Sequence, residues 1–372
     1  MLAGVNDIVA EWISDHAKYR EWIREETFKR GIVRSELKDD TKDKKQVYQM
    51  YYEYQEPVRS MVSHRILALN RGEKEEVLRV VIEPPIERIL EFLQTSVIKP
   101  QADMSNQEFL RLAIEDSYKR LTQPSIEREI RNRLTEKAEA QAIHVFSENL
   151  KNLLLQPPLK DRVVLGIDPA FVTGCKLAVV DETGKVLHIG VMYPTAPRHD
   201  VVGAEKVMLE LIEKYQVQLI AIGNGTASRE TEQFVADTIA KHQLDVSYII
   251  VNEAGASVYS ASDLAREEFP DLEVEERSAV SIARRVQDPL AELVKIDPKS
   301  IGVGQYQHDV SQKALTESLN FVVETAVNQV GVNVNTASAP LLEHVAGLTK
   351  TVAQNIINRR NEIGKFKNRT RV

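Results

Sequence analysis

The chain has 372 residues, more than one ordinary globular domain needs, so two or three domains are expected. Hydrophobic residues make up 43% and charged residues 28% at a net charge of −7, which excludes a fibrous, low-complexity or uniformly basic protein. The single cysteine, Cys175, excludes an intramolecular disulfide and favours a reducing, cytoplasmic setting, and the lack of a long apolar run argues against a membrane partner.

Residues 1–160 are predicted to form a mostly helical domain. Apolar residues recur there at three- and four-residue spacings, which is typical of amphipathic helices. Helices are predicted at 7–14, 19–31, 46–61, 85–96, 106–121 and 125–154, with a short strand at 78–82. Pro157 and Pro158 end the last helix, because proline removes a backbone donor and clashes with the preceding turn. A domain boundary is therefore placed near residue 160.

The pattern changes at residues 161–296, where short β-branched runs alternate with turn residues. Strands are predicted at 163–167, 176–180, 186–191, 219–222 and 248–251, and helices at 201–215, 230–242, 256–265 and 277–294. Three meandering strands followed by strand–helix units are typical of a ribonuclease H-like mixed sheet with its first strand in the centre. The sequence therefore predicts a multidomain α and α/β protein.

Three carboxylates follow predicted elements of this sheet domain. Asp168 ends the first strand in Gly-Ile-Asp-Pro, Glu253 ends the last strand, and Asp288 lies beside the final helix. An Asp-Pro turn, a helix cap or a surface acid explains each of them singly. As a set, they are the candidate catalytic residues and the candidate ligands of a weak Mg²⁺ site for phosphodiester cleavage. No other cofactor is expected.

A glycine-containing loop at 222–228 joins a predicted strand to a predicted helix. Its glycines let backbone donors approach a ligand at a helix N-terminus, which is a natural phosphate site. A plain strand-to-helix turn explains the loop equally well, so both interpretations remain open.

The C-terminal part, residues 297–372, is predicted to be helical and to end in a basic segment. Helices at 312–330, 335–344 and 350–361, with a tight turn at Gly347, indicate a helix-hairpin-helix unit. From Lys350 onward, seven basic residues accompany one acid, a local charge of +6 that suits either phosphate contact or a solvated tail. The candidate nucleic-acid contacts are Gly347, Lys350, Arg359, Arg360, Lys365, Lys367, Arg369 and Arg371.

Five strings of this sequence resemble the Tex family of bacterial transcription accessory proteins, which also looks like the central part of a eukaryotic transcription elongation factor. The strings are YYEY at 51–54, HRILALNRGE at 64–73, GIDP at 166–169, IGNGTASRET at 222–231 and NTASAPLL at 335–342. The resemblance implies a helical domain at 1–160, a YqgF domain related to RuvC-type resolvases at 161–296 and a helix-hairpin-helix region at 297–372. It also implies that a second hairpin and a C-terminal oligonucleotide-binding barrel are missing, so we interpret the chain as a core fragment.

Two departures from the family pattern bear on function. Resolvases of this fold carry a fourth carboxylate three residues after the third, where this chain has Ala291. The usual Gly-x-Gly of the hairpin reads Gly347-Leu348-Thr349 here. We expect the first departure to weaken metal binding, and the second to alter one of the backbone donors that grip phosphate.

The resemblance favours a cytoplasmic nucleic-acid-binding transcription accessory factor that contacts RNA or DNA phosphates without sequence preference and works with the transcription machinery. Its YqgF domain is expected not to be catalytic. A Mg²⁺-dependent nuclease or resolvase that uses Asp168, Glu253 and Asp288 is the first alternative. A scaffold that binds the transcription machinery through the helical half is the second.

Overall fold

The computed structural model describes residues 2–345 and 347–367. Its α-helices are α1 (Leu2–Asp15), α2 (Ala17–Arg30), α3 (Ser63–Lys74), α4 (Ile86–Val97), α5 (Met104–Asp116), α6 (Gln123–Leu154), α7 (Val201–Tyr215), α8 (Ser228–His242), α9 (Ala256–Ala261), α10 (Asp263–Glu268), α11 (Val274–Gln287), α12 (Pro289–Leu293), α13 (Gln312–Val330), α14 (Ala339–Glu343) and α15 (Lys350–Ile363). Its strands are β1 (Ile32–Leu37), β2 (Glu53–Pro57), β3 (Leu78–Glu83), β4 (Val164–Asp168), β5 (Cys175–Val180), β6 (Val186–Met192), β7 (Leu219–Gly223) and β8 (Ser247–Val251). No described helix is both long and apolar enough to cross a membrane.

The chain divides into two compact units. The first comprises residues 1–144 together with 308–311, and the second comprises residues 145–307 together with 312–372. The helical elements α1 to α5 and the strands β1 to β3 belong to the first unit, and β4 to β8 belong to the second. The finer division into domains at 1–160, 161–296 and 297–372 stays a prediction.

A three-stranded antiparallel sheet, in the order β2-β1-β3, lies within the first unit. The predicted strand at 78–82 is confirmed as β3, but the predicted helix at 46–61 is wrong. The Asp43 carboxylate accepts hydrogen bonds from the backbone N–H groups of Val47 and Tyr48, at 2.8 Å each, and this holds the segment in turns. Pairing of β2 with β1 then satisfies backbone groups that a helix would otherwise have paired.

The second unit is built on a five-stranded mixed sheet in the order β6-β5-β4-β7-β8. β4 pairs antiparallel with β5 and parallel with β7, so the first strand of the sheet is central, as predicted. Leu165 and Ile167 pack in the layer of α7 and α8, whereas Val164 packs in the layer of α11. Both faces of the central strands β5, β4 and β7 are covered, which explains their continuous apolar runs. These features confirm the ribonuclease H-like fold class.

Gly166 sets the closest approach of α11 to the sheet. A Cβ atom at this position would lie 2.4 Å from the Ala279 carbonyl oxygen and 2.8 Å from the Ala283 Cβ. A larger side chain would therefore push α11 away from β4. This packing brings the first turns of α11 beside Asp168, the last residue of β4.

The C-terminal helices form the predicted helix-hairpin-helix arrangement. The turn between α14 and α15 contains Gly347 at a φ of 88°. The predicted helix at 335–344 is shorter, because Ser338 caps α14 by accepting a hydrogen bond from a backbone N–H of its first turn (3.3 Å). Thr349 caps α15 in the same way (3.3 Å). The two caps fix the residues at which α14 and α15 begin.

Candidate functional site

Asp168 lies at the carboxyl end of the central strand, the edge at which open α/β sheets hold their ligands. Burial, opposed by a hydrogen bond from Ser278, raises the pKa of this carboxyl group to about 6, and the charges of Glu253 and Glu275 contribute to the rise. Lys176, opposite Asp168 in the β4–β5 ladder, acts in the other direction. We call the group of Asp168, Glu253 and Glu275 the carboxylate edge.

Glu253, two residues after β8, lies against the glycine loop that precedes α8. A Cβ atom at Gly223 would lie 2.4 Å from Glu253 Oε2, and a Cβ atom at Gly225 would lie 1.8 Å from Oε1. The two glycines therefore leave the space that this carboxylate fills. Glu253 Oε2 is buried with no hydrogen-bond partner among the described residues. The loop at 222–228 thus holds an acid of the chain itself.

Asp288 does not converge with the other two predicted carboxylates. It follows the last residue of α11 and lies ten residues beyond Ser278, a distance of about 15 Å along a helix. Its Oδ1 atom accepts a hydrogen bond from the Ala291 N–H (3.1 Å), and Oδ2 accepts one from the Thr336 hydroxyl (2.6 Å). Within residues 2–345 and 347–367, no three His, Cys, Asp or Glu side chains are grouped to hold a metal ion. The three-carboxylate Mg²⁺ site predicted from the sequence is therefore not assembled by these residues.

The helix end that carries Asp288 anchors the C-terminal helices to the sheet domain. The Ser338 hydroxyl donates a hydrogen bond to the Ala291 carbonyl oxygen (2.6 Å), close to the bond between Thr336 and Asp288. Ala291 is buried in this contact. Positions 288 and 291 therefore have a structural role, and a carboxylate at 291 would lie at the wrong end of α11 to join the carboxylate edge.

Three further residues belong to the carboxylate edge or contact it, and sequence reasoning missed all of them. Lys176 Nζ lies 2.9 Å from Glu275 Oε2, and Ser278 hydrogen-bonds the central aspartate. Glu275 and Ser278 show the three-residue spacing expected of the last two resolvase acids, and they lie in the first turns of α11. That spacing was the available signal. If Glu275 corresponds to the third resolvase acid, Ser278 and not Ala291 stands at the position of the fourth.

The hairpin between α14 and α15 presents the exposed part of the predicted nucleic-acid interface. Gly347 has open space where a side chain would stand, and Lys350 is exposed in the first turn of α15. Arg359 is exposed further along α15, 3.2 Å from Glu362, and Lys367 is exposed after the helix. A helix N-terminus with an exposed lysine is suited to a phosphate group.

Arg360 and Lys365, also predicted as contacts, are engaged by other groups of the protein, Arg360 partly buried and Lys365 on the surface. Arg360 Nη1 donates to two backbone carbonyl oxygens, 3.1 and 2.7 Å away, and burial lowers the pKa of its guanidinium to about 10. Lys365 Nζ lies 2.7 Å from carboxylate oxygens of Asp161 and of Glu182. Both side chains hold the C-terminal segment in place. Outside the described residues lie the last two predicted contacts, Arg369 and Arg371.

Three segments of the chain match known domain families. Residues 1–146 match the Tex central region-like family, and residues 162–287 match the Tex protein YqgF-like domain. Residues 327–371 match the helix-hairpin-helix motif. The matches follow the same order along the chain as the helical part, the mixed sheet and the hairpin.

Curated bacterial proteins are similar to this chain over nearly its whole length. The identity is 64% to the uncharacterized protein YdcI of Bacillus subtilis, over 99% of this chain and 51% of the relative. It is 46% to Protein tex of Bordetella pertussis, over 99% of this chain and 48% of the relative. It is 43% to the transcriptional accessory protein Tex of Neisseria gonorrhoeae, over 100% of this chain and 49% of the relative. The chain therefore spans about half the length of the curated relatives it matches.

The five-stranded sheet, its helix layers and the capped hairpin define a multidomain α/β protein with a YqgF-like domain and a helix-hairpin-helix motif. The matched families and the relatives identify it further. The chain belongs to the Tex family of transcription accessory proteins, which confirms the resemblance carried by its sequence strings.

Proposed function

We propose that this chain is a nucleic-acid-binding part of a transcription accessory factor and that it contacts phosphates without sequence preference. The hairpin carries the proposal, because it matches a helix-hairpin-helix motif and presents Gly347 and Lys350 at a helix N-terminus. Backbone N–H groups at such an end bind phosphate, and the exposed Arg359 and Lys367 add charge. RNA and DNA share their phosphates, so these contacts serve either nucleic acid.

Replacing both Lys350 and Arg359 with Ala is expected to weaken nucleic-acid binding about tenfold at low salt, because two phosphate partners are lost. The three exposed cations Lys350, Arg359 and Lys367 predict a slope of about −3 in log K against log salt on duplex DNA. Fluorescence anisotropy with labelled strands and duplexes, repeated over a salt series, measures both quantities.

The matched control is Lys206→Ala with Lys214→Ala, which removes two exposed charges from α7 in the same unit. The control is expected to keep the affinity and the salt slope of the unmodified chain. Equal losses in the control and in the hairpin variant would contradict the proposal, as would an affinity that does not depend on salt. A change of base sequence at constant length is expected to have little effect.

We also propose that the carboxylate edge does not act as a nuclease centre. Two-metal phosphodiester cleavage needs carboxylates that share divalent cations. Here Lys176 lies near Asp168 and pairs with Glu275, so an ammonium group of the chain already lies among the acids. Asp288, the third ligand expected from the sequence, is bonded to Thr336 instead. A Mg²⁺-dependent nuclease is the second candidate, favoured by the influence of Glu253 and Glu275 on the ionisation of Asp168.

No metal-dependent cleavage of single strands, duplexes or four-way junctions is expected from this chain. Labelled substrates incubated with Mn²⁺ and either the chain or its Asp168→Asn variant, then separated on denaturing gels, provide the test. The affinity for nucleic acid is expected to be the same in both proteins, because the hairpin supplies the contacts. Cleavage that disappears in the variant would establish the second candidate instead.

Beyond nucleic acid, we propose first that components of the transcription machinery are partners of this chain, and second that it acts in the cytoplasm. The name of the gonococcal relative, a transcriptional accessory protein, supports the role in transcription. The single cysteine supports the second, since reducing compartments do not favour disulfides. The helical half, residues 1–160, remains the region proposed for protein contacts.

A further inference from the structure

A cleft of about 990 Å³ lies in the second unit. Its walls are the turn between β5 and β6, the helices α10 to α12, and α15. A volume of this size is at the upper end of the range for ligand pockets. None of the three acids of the carboxylate edge is among the described residues that line it. The cleft is therefore separate from that edge.

The floor of the cleft is an ion network that balances its own charges. Glu268 accepts a hydrogen bond from the Tyr259 hydroxyl (2.5 Å) and pairs with Arg284 (2.5 Å) and Lys295 (3.1 Å). Lys295 also pairs with Glu292 (2.9 Å). Two acids oppose two bases, so the network gives the cleft a fixed polar floor with no net charge for a ligand.

The wall formed by α15 carries four side-chain amides that line the cleft, and we call it the amide wall. Its members are Gln354, Asn355, Asn358 and Asn361. The Gln354 amide N–H donates to Asn358 Oδ1 (3.1 Å), which holds the two side chains in one arrangement. This bond leaves the Gln354 carbonyl oxygen as an acceptor and the Asn358 amide N–H groups as donors for a ligand.

An extended peptide matches the amide wall in chemistry and in spacing. A side-chain amide offers the same kinds of donor and acceptor as a peptide bond, so the Gln354 oxygen can accept from one peptide N–H and Asn358 can donate to one peptide carbonyl oxygen. Gln354 and Asn358 are about 6 Å apart along the helix axis. Alternate residues of an extended chain are about 6.6 Å apart. Two successive amides of the wall therefore suit two alternate peptide groups of one strand.

The free charges of the lining favour a peptide over a nucleic acid. Lys185 and Lys350 are exposed and form no ion pair within residues 2–345 and 347–367, and Glu267 is an exposed acid of the same lining. The other cations of the lining are engaged in the floor network or by backbone carbonyl oxygens. A nucleic-acid strand brings one negative charge per nucleotide, more than two lysines neutralise. A peptide with one or two acidic side chains matches them.

We propose that this cleft binds an extended peptide segment that carries one or two acidic side chains. Gln354 and Asn358 hydrogen-bond the peptide backbone, and Lys185 and Lys350 pair with its carboxylates. The floor network keeps the cleft in shape for the segment. This peptide site goes beyond the proposed phosphate contacts and shares only Lys350 with them, so either proposal can fail without the other.

Selection of a display library of random ten-residue peptides on the whole chain tests the proposal. Enriched peptides are synthesised with a fluorescent label, and their dissociation constants are measured for the chain and for the variant Gln354→Ala with Asn358→Ala. We expect the enriched peptides to contain Asp or Glu and to bind the variant about tenfold more weakly, because backbone hydrogen bonds are lost. N-methylation of alternate peptide bonds in the best ligand is expected to abolish its binding.

The matched control is Asn328→Ala with Gln329→Ala, an exposed amide pair on α13 outside the cleft, which is expected to keep full affinity. Circular dichroism of each variant verifies that it is folded. The proposal is overturned if no peptide is enriched, or if enriched peptides bind the Gln354 and Asn358 variant as tightly as the unmodified chain. A labelled single-stranded oligonucleotide that binds this variant more weakly would overturn it too, and would assign the cleft to nucleic acid.

Discussion

Replacing Asp168 with Asn is expected to stabilise the protein at neutral and higher pH. The pKa of Asp168 is about 6 in the folded chain, whereas its ordinary value is 3.8. Between these two pH values the folded chain binds a proton that the unfolded chain has released. The stability that the protonated group contributes is therefore fully present below about pH 4 and is lost as the pH rises through about 6. The difference corresponds to about 3 kcal/mol at most. The Asn side chain avoids this loss because it stays neutral as the pH rises.

Hydrogen exchange measured by mass spectrometry suits this prediction, because both tryptophans, Trp12 and Trp22, belong to the first unit, so tryptophan fluorescence does not report on the sheet of the second. Protection of β4 and β7 is expected to be similar in the chain and the Asp168→Asn variant at about pH 4, and higher in the variant at about pH 8. The control variant Asp245→Asn changes an exposed aspartate and is expected to alter the protection at neither pH. Equal protection of Asp168→Asn and the unmodified chain at the higher pH would refute the prediction.

Replacing Arg284 with Met is expected to destabilise the second unit by about 2 kcal/mol, because it breaks a partly buried ion network and removes one partner of Glu268. Arg284 pairs with Glu268 (2.5 Å), donates to the Gly184 carbonyl oxygen (2.6 Å) and lies over the Phe269 ring. Against the effect of burial, Lys295 and Arg284 hold the pKa of Glu268 well below its usual range. Without the arginine, Lys295 alone is left to compensate Glu268 and the buried Glu292.

The double variant Arg284→Met with Glu268→Gln is the matched comparison. It is expected to recover most of the lost stability, since neither partner of the pair is then charged. Urea unfolding followed by the exchange protection of α11 gives the free energy of unfolding for each protein. A single variant as stable as the unmodified chain, or a double variant less stable than the single one, would show that the ion pair is not what holds this region.

The sheet of the second unit was predictable because its connectivity admits few arrangements. Three meandering strands followed by strand–helix units require the first strand to be central, and β4 is central. In the first unit, β3 was predicted but β1 and β2 were not. The segment 46–61, which contains β2, was assigned to a helix because its apolar residues recur at helical spacing. Contacts from outside the segment decide its structure, among them the bond from the Ser35 hydroxyl to the Tyr51 carbonyl oxygen (2.8 Å).

The candidate site was predictable only in part, because charged residues look alike in a sequence. Asp288 and Glu275 lie at opposite ends of α11, and only the packing of Gly166 against Ala279 shows which end reaches the sheet edge. Arg359 and Arg360 are neighbours in sequence, yet the first is exposed and the second donates to backbone carbonyl oxygens. Register along a helix and rotation around it are set by tertiary packing.

Among the residues that the structure describes, four side-chain hydrogen bonds connect the segments around α14 and α15 to the sheet domain. They join Thr336 to Asp288, Ser338 to Ala291, and Lys365 to Asp161 and Glu182. These bonds lie on both sides of the hairpin in sequence, so tension on a nucleic acid held there would load all of them together. The force would pass into the end of α11 and the turn after β5 instead of stretching a loose linker. The hairpin is therefore attached to the sheet domain on both of its sides, so a change in its direction requires these bonds to break.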